Sequence, residues 1–367
     1  MSSPSSFRVF SYNLLSSSLA SPSHFKACSP ANLDAAGRLP KILAKLEAET
    51  AKSSIICLQE LSRKWEGPLH VFFEERNYQF VTGLYGRRFN GYMGVAVAWP
   101  LSKFKALEVD VQTLADVGDW PRPPSVDQQP PPPPPSKARR SLGFLSRLVT
   151  NPLRFLLPPP PKKRWDDDAD VYDLAAKRSN ILITATLQAR DGGADGGGGR
   201  PFTMSNYHMP CAFRTPPLMT IHSTLAVRYT KQLAKGNPFL CVGDWNIKPC
   251  SEQYETLTTG KLSADPALRP PPKHNITFSP DIGEGVYSAY AVKNGREPDF
   301  TNYAKVKDEE PFIDTLDYIF MSKEGDCWTV DAVDDIVHRD DMAGPLPNDE
   351  EPSDHVSIAA NLQLSGL

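Results

Sequence analysis

The stretch SSIICLQELSRKW, residues 53–65, climbs from polar to apolar and stops on an acid. Ile55–Leu58 reads as a buried β-strand, an unbroken apolar run that rises out of a polar stretch. Gln59 and Glu60 end it. A carboxylate delivered by a core strand is costly to desolvate unless something at that place needs its charge. The terminus of this strand therefore predicts a site, and the rest of the chain can be searched for what meets Glu60.

Other apolar runs end in the same way. Candidate strands lie at Phe7–Tyr12, Gln79–Thr82, Gly94–Ala98, Asn180–Leu187, Phe202–Tyr207, Phe239–Val242, Leu316–Phe320 and Val356–Leu362. Asn13 follows the first, His208 follows Phe202–Tyr207, and FLCVGDWN (239–246) closes on Asp244 and Asn246. Asp317 sits inside TLDYIF (315–320), and Asp354-His355 precede the last strand. Singly, each has an ordinary explanation. Asn13 suits a turn, Gly243-Asp244 a simple turn, His208 a satisfied core histidine, Asp354 a helix N-cap or surface turn residue, and Glu60 an ion pair with Arg63 or Lys64. Their recurrence at one strand end after another favours a shared site on a rigid sheet.

The chemistry these residue types suit is metal-assisted phosphoester hydrolysis. Carboxylate and amide oxygens are hard ligands for Mg²⁺, with Mn²⁺ as a substitute, and Glu60 is the leading candidate. Asp244 can orient or deprotonate a water, with Asn246 beside it. His355, paired with Asp317 or Asp354, has the layout of a carboxylate-oriented imidazole. His208 can donate to a phosphate oxygen as charge develops.

Helices are expected at Leu33–Thr50, Gly67–Asn77 and Met219–Ala234, each with apolar residues at three-and-four spacing. Strands with helices between them predict an α/β sandwich of two sheets flanked by helices. The chain has 367 residues, a formal net charge of −3 and a pI near 6.2, so no global basic field awaits nucleic acid. An anionic substrate must be met by local positive charge or by metal. Six cysteines are scattered without a C-x-x-C pair, which predicts reduced core thiols and a cytoplasmic setting. No apolar run reaches the length of a membrane span, and the opening MSSPSSFRVFSYN lacks a signal-peptide layout.

We expect one domain over 1–367, interrupted by a proline-rich and basic insertion at about 118–172 and by a glycine-rich loop at 191–201. KARRSLGFLSRLVTNPLRFLLPPPPKKR (137–164) mixes cations with apolar residues. It reads either as a basic amphipathic segment touching a membrane, a protein or RNA, or as a loop resting on the domain, with Pro152 against a long helix.

The ordered set Y-N (12–13), L-Q-E (58–60), N-Y-H (206–208), G-D-W-N (243–246), L-D-Y-I-F (316–320) and S-D-H (353–355) resembles the endonuclease/exonuclease/phosphatase superfamily, related to deoxyribonuclease I. The segment YNLLSSSLASPSHF, then 288–323 and 345–355, is similar to the branch of carbon catabolite repressor deadenylases, nocturnin, Angel proteins and 2′-phosphodiesterase. The resemblance implies a four-layer α/β sandwich of two mostly antiparallel sheets using Mg²⁺. It implies Glu60 with Asn13 at the metal, and Asp244 and Asn246 at the attacking water. His355 with Asp317 and the adjacent Asp354 would stand at the phosphate, and His208 would contact it. Asn180 and Phe312 would bind substrate, Phe312 as a base-stacking aromatic. The implied activity is a deadenylase-like 3′-exoribonuclease acting on RNA as a monomer. The alternative is a phosphatase or phosphodiesterase of a small nucleotide, inositol phosphate or phospholipid headgroup. The chain departs from the pattern at Asn206–Cys211, where T-H-L is usual, at Trp245, and in the insertion.

Overall fold

A computed structural model describes residues 5–85, 93–122, 170–190, 199–323, 325 and 327–365. The expectations for the insertion fall mostly on 123–169, and those for the glycine-rich loop on 191–198, outside the described residues.

Two six-stranded sheets form the centre. The first has the order β13 (Trp328–Val333), β14 (Ile358–Leu364), β1 (Ser5–Asn13), β2 (Ile55–Gln59), β4 (Gly94–Pro100), β3 (Tyr78–Leu84). The second runs β5 (Phe104–Thr113), β6 (Ile181–Ala189), β7 (Phe202–His208), β8 (Phe239–Asp244), β12 (Asp317–Ser322), β9 (Val286–Ser288). A small arm pairs β10 (Asn302–Ala304) with β11 (Phe312–Asp314). Only β1/β2 and β7/β8 are parallel among the described pairs.

Side-chain alternation explains why the central strands read as unbroken apolar runs. Ile55 and Cys57 point into the core between the sheets with Val9, Val97, Met204, Val242 and Ile319. Their neighbours Ile56 and Leu58 point outward, against helices α2 (Ala35–Ala51) and α3 (Arg63–Glu74), where Ile42, Leu46, Trp65 and Phe73 cover them. On the far side α5 (Pro216–Ala234) buries Met219 and Val227 against Tyr207, Cys241 and Phe320. The layers are therefore helix, sheet, sheet, helix, as expected. Burying each large apolar side chain stabilises by roughly 1.5–3 kcal/mol, so strands covered on both faces make a rigid base for a site.

Some elements differ from the sequence reading. The helix expected at Leu33–Thr50 is two: α1 (Pro30–Leu33) and α2. Asp34 between them is extended and caps α2 by accepting from the Gly37 N–H at 2.8 Å. α3 begins at Arg63, four residues before Gly67, and carries Pro68 inside it, where the ring removes the N–H that would bond the Lys64 carbonyl. β5 was not anticipated. It lies at an edge, and its apolar residues Leu107, Val109 and Val111 are exposed, so its pattern carries no core signal. The cysteines are all free, but Cys211 and Cys250 are exposed rather than core residues. No helix among the described residues is long and apolar enough to cross a membrane.

Candidate active site

The topology brings the strand ends together. Parallel β1/β2 and β7/β8 put Asn13, Gln59, His208 and Asp244 at one edge of the sandwich. β12 runs antiparallel to β8, and β14 antiparallel to β1, so the starts of these strands reach the same edge. His208, Asp244 and Asp317 stand in a single row of register, Asp244 opposite both of the others. His355 reaches that edge three residues before β14. Gly243, at φ +133°, makes the row possible, because a Cβ there would run into the Tyr207 carbonyl. Asn206 ties the sheets at this end. Its Nδ2 donates to the Leu58 and Ala96 carbonyls at 2.9 and 2.7 Å, and its Oδ1 accepts from Gln59 Nε2 at 2.8 Å.

Glu60 and Asn246 are both non-glycine residues in the left-handed region, at φ +54° and +49°. Such backbone is sparsely populated and clusters at functional sites. In Glu60 it turns the carboxylate off the strand end, where Oε2 accepts from the Ser16 N–H at 2.9 Å and Oε1 stands 3.9 Å from His208 Nε2. Asp244 is the hub. Its Oδ2 accepts from Asn13 Nδ2 at 2.9 Å and lies 3.5 Å from His208 Nε2 and 3.7 Å from His355 Nε2. Its Oδ1 accepts from the Asn246 N–H at 2.9 Å. Burial and the neighbouring Asp317 push the Asp244 carboxyl up to about 6, against the two imidazoles.

The sequence left two partners open for His355, and the structure selects Asp317. His355 Nδ1 lies 2.7 Å from Asp317 Oδ2, which also accepts from Thr301 Oγ1 at 2.6 Å. Burial opposes charge on this imidazole, but Asp317, Asp244 and Asp354 outweigh it and hold its pKa well above the usual histidine range. Asp354 does not bond the ring. Its Oδ1 is buried without a hydrogen-bond partner among the described residues, and burial raises its carboxyl, with Glu60 adding to the shift.

Asn13, expected at the metal, is held at this edge by hydrogen bonds. The Leu15 N–H claims its Oδ1 at 3.0 Å, so the side chain turns N–H donors toward Asp244 and, at 3.4 Å, toward Glu60. Asn246 likewise spends its amide on the Met209 carbonyl at 2.9 Å. Asn180 donates to the His208 carbonyl at 2.8 Å. Phe312 stands on the β10–β11 arm, with the Lys248 ammonium 4.8 Å from its ring centre and Phe213 6.1 Å away. Glu60, His208, Asp244, Asp354, His355 and Phe312 all line one cavity of about 540 Å³.

A divalent cation fits the donor set. Atoms of Asp244, Asp317 and His355 lie within 4.8 Å of one another. Within that trio, however, Asp317 is committed to His355 and Thr301, and Asp244 to Asn13 and the Asn246 N–H, while Glu60 and Asp354 keep carboxylate oxygens uncommitted or lightly committed at the cavity. Hard oxygens of this kind suit a hard cation holding several waters.

Arg38 belongs to the site, and the sequence did not reveal it. It lies on α2 and is 1% exposed. Its guanidinium donates to the Leu14 carbonyl, to the Leu15 carbonyl at 2.7 Å and to the Pro352 carbonyl at 2.5 Å, binding together the loops that carry Asn13 and Asp354. Arg38→Met keeps the apolar stem but leaves these carbonyls unpaired. We expect a loss of about 3 kcal/mol or more in denaturant unfolding, since each buried unsatisfied group costs about 1–3 kcal/mol.

The sequence profile of the Endonuclease/Exonuclease/phosphatase family matches residues 10–355. Among curated proteins, "Carbon catabolite repressor protein 4 homolog 1" of Arabidopsis thaliana is 27% identical over 219 residues, covering 51% of this chain and 34% of that protein. Homolog 2 from the same plant is 24% identical over 404 residues, covering 99% and 58%. The chain thus spans well under two thirds of these relatives. Among solved structures, the 2′,3′-cyclic phosphatase ANGEL2 superposes with a TM-score of 0.66 at 17% identity, covering 98% of this chain and 96% of that one. The human Nocturnin catalytic domain with bound sulfate gives 0.59 at 16% identity, covering 100% and 97%. The layers, the row of strand-end acids and histidines and the profile match agree: this chain belongs to the Endonuclease/Exonuclease/phosphatase family, whose members hydrolyse phosphoester bonds.

Proposed function

We propose that the chain is a Mg²⁺-dependent phosphodiesterase that removes nucleotides from the 3′ end of RNA, in the manner of a deadenylase. The observation that carries this reading is the juxtaposition in one cavity of the Glu60–Asp244–His355 edge with the aromatic arm bearing Phe312. The first suits hydrolysis of a phosphodiester, the second a terminal base. The similarity of 288–323 and 345–355 to the deadenylase branch supports an RNA substrate.

Glu60, with Asp354 beside it, would hold the cation, which when bound supplies charge neutralisation at the phosphoryl group. Asp244 takes the proton of the attacking water. A carboxyl raised toward neutrality is a better base than an ordinary aspartate, and the Asn246 N–H and Asn13 amide fix its orientation. His355, kept cationic by Asp317, donates to a phosphoryl oxygen as negative charge develops. His208 approaches the same carboxylate from the other side and can donate its ring N–H to the phosphate.

A substrate panel tests the reading: 5′-labelled RNA with an oligoadenylate tail, 2′-5′ oligoadenylate, a 2′,3′-cyclic phosphate end, NADP(H) and inositol phosphates. We expect stepwise shortening of the RNA from its 3′ end in Mg²⁺. An intact tail beside turnover of one of the small substrates would replace this reading with that of a small-molecule phosphatase. In the same assay Phe312→Ala should raise KM for the oligoadenylate about tenfold, the lower range of one lost base–aromatic stack.

A further inference from the structure

The catalytic cavity does not end at Phe213. Arg178, Cys211 and Phe213 form a wall it shares with a second hollow of about 290 Å³, which continues over Leu174, Arg214 and Thr215. Beyond that hollow a third cavity of about 360 Å³ opens along α5, lined by Trp120, Tyr172, Thr224, Arg228, Thr277 and Phe278 among others. The second and third share no lining residue but lie on either side of one apolar cluster. Tyr172 of α4 (Val171–Ala175), Ile221 of α5, Leu174, Ala212, Trp120 and Phe278 pack together in it.

The chemistry changes along this path. Arg178 and Arg214 stand nearest the catalytic cavity, and Arg214 is exposed with no ion pair among the described residues. The amide end of α5 cannot replace them as an anion site, because Pro216 and Pro217 remove its first N–H donors. The far cavity is different. Trp120, Tyr172 and Phe278 give it aromatic faces, while Thr224, Thr277, Ser279 and the rim carboxylates Asp119 and Asp281 offer hydrogen-bonding groups. Those carboxylates would repel a phosphate but can accept from a base's exocyclic amine or a ribose hydroxyl. Arg228 lines the same space, half-buried, with no hydrogen bond or ion pair among the described residues. An arginine plane beside aromatic faces is a stacking surface for nucleobases.

We propose that the surface joining these three hollows is a track for the single-stranded body of the RNA. The phosphates upstream of the scissile bond would pass Arg178 and Arg214, and an upstream base would enter the Trp120–Tyr172–Phe278 cavity. From Thr215 to Thr224 the path covers about 13 Å at a helical rise of about 1.5 Å per residue. The track therefore reads substrate several nucleotides from the cut, and short substrates do not reach it. This rests on the RNA reading above and extends it to chain length.

The test separates binding from cleavage. Fluorescein-labelled oligoadenylates of about three and about twelve nucleotides are titrated by anisotropy, without divalent metal, into the full chain, Arg214→Glu and Trp120→Ala. The wild-type chain should bind the long oligomer at least about tenfold more tightly than the short one. Both substitutions should erase most of that ratio while the affinity for the short oligomer stays close to wild type. Equal affinity of the wild-type chain for both lengths would overturn the track, and so would variants that keep the wild-type ratio. Arg214 is exposed, so its variant remains informative if Trp120→Ala fails to fold. A parallel cleavage assay in Mg²⁺ keeps the outcomes distinct: RNA that is bound with length dependence but never shortened refutes the exoribonuclease reading and leaves the track standing.

Discussion

Asp244→Asn and His355→Ala should each lower the single-turnover rate on an RNA phosphodiester by at least about 10²-fold, the ordinary worth of a positioned acid–base group. The double variant should lose far less than the product of the two. The reason is geometric. Asp244 Oδ2 faces His355 Nε2 at 3.7 Å and His208 Nε2 at 3.5 Å, so one carboxylate is shared between two imidazoles. Removing its charge lets His355 lose its proton more easily, since Asp244 is among the acids that keep the ring charged. Removing His355 lifts a compensating charge from Asp244 and raises that carboxyl further, which favours the protonated form that cannot take a proton from water. Each single change therefore damages the partner as well, and residues acting as a unit are non-additive. Asp317→Asn supplies a control on the far side of the ring. It leaves Asp244 in place but removes the carboxylate 2.7 Å from Nδ1, and its deficit should be absorbed by His355→Ala in the same way. Clean multiplicativity of the Asp244 and His355 losses would mean that they act independently, and the single-site account of these strand ends would have to be given up.

How far the sequence disclosed this site depended on what each residue does locally. Strands such as Ile55–Leu58 and Phe239–Val242 were legible because burial on both faces leaves no polar break in them. Glu60, His208 and Asp244 were legible because polar residues closing such strands have no business in a core. The choice of Asp317 over Asp354 for His355 was not. Asp354 is adjacent in the chain, while Asp317 is placed by the register of β12 on β8, which pairing alone determines. Asn13 was legible as a site residue but not as a donor, since the Leu15 N–H that claims its oxygen lies in a loop. Arg38 was hidden for a different reason. A cation on an amphipathic helix reads as solvent-facing, and only the fold shows that it reaches back to the Leu14, Leu15 and Pro352 carbonyls. β5 was missed because an edge strand with exposed valines shows neither the alternation nor the run that marks a core strand.

Glu60→Gln should abolish metal-dependent turnover, by about 10²-fold or more at any Mg²⁺ concentration, while leaving the fold at least as stable. The amide is nearly the same size and can still accept from the Ser16 N–H that Glu60 Oε2 takes at 2.9 Å, so the loop after β1 keeps its contact. What is lost is a charge. In the metal-free chain that charge faces Asp244 through Asn13 and adds to the raised carboxyl of Asp354, so Glu60 works against its neighbours until a cation arrives. A group of this kind is retained for binding, not for stability. Thermal unfolding separates the two contributions without reference to activity. The metal-free variant should melt at or above the wild-type temperature. Adding Mg²⁺ should raise the wild-type melting temperature by mass action and leave that of Glu60→Gln nearly unmoved. A metal-induced shift of wild-type size in the variant, or near wild-type turnover at saturating Mg²⁺, would remove Glu60 from the cation site. Asp354, with its unpartnered buried oxygen, would then be the next residue to test. A marked fall in the metal-free melting temperature would point elsewhere, to a carboxylate kept mainly for the Ser16 contact, and the strand ending at Gln59 would deliver its acid to the fold rather than to a substrate.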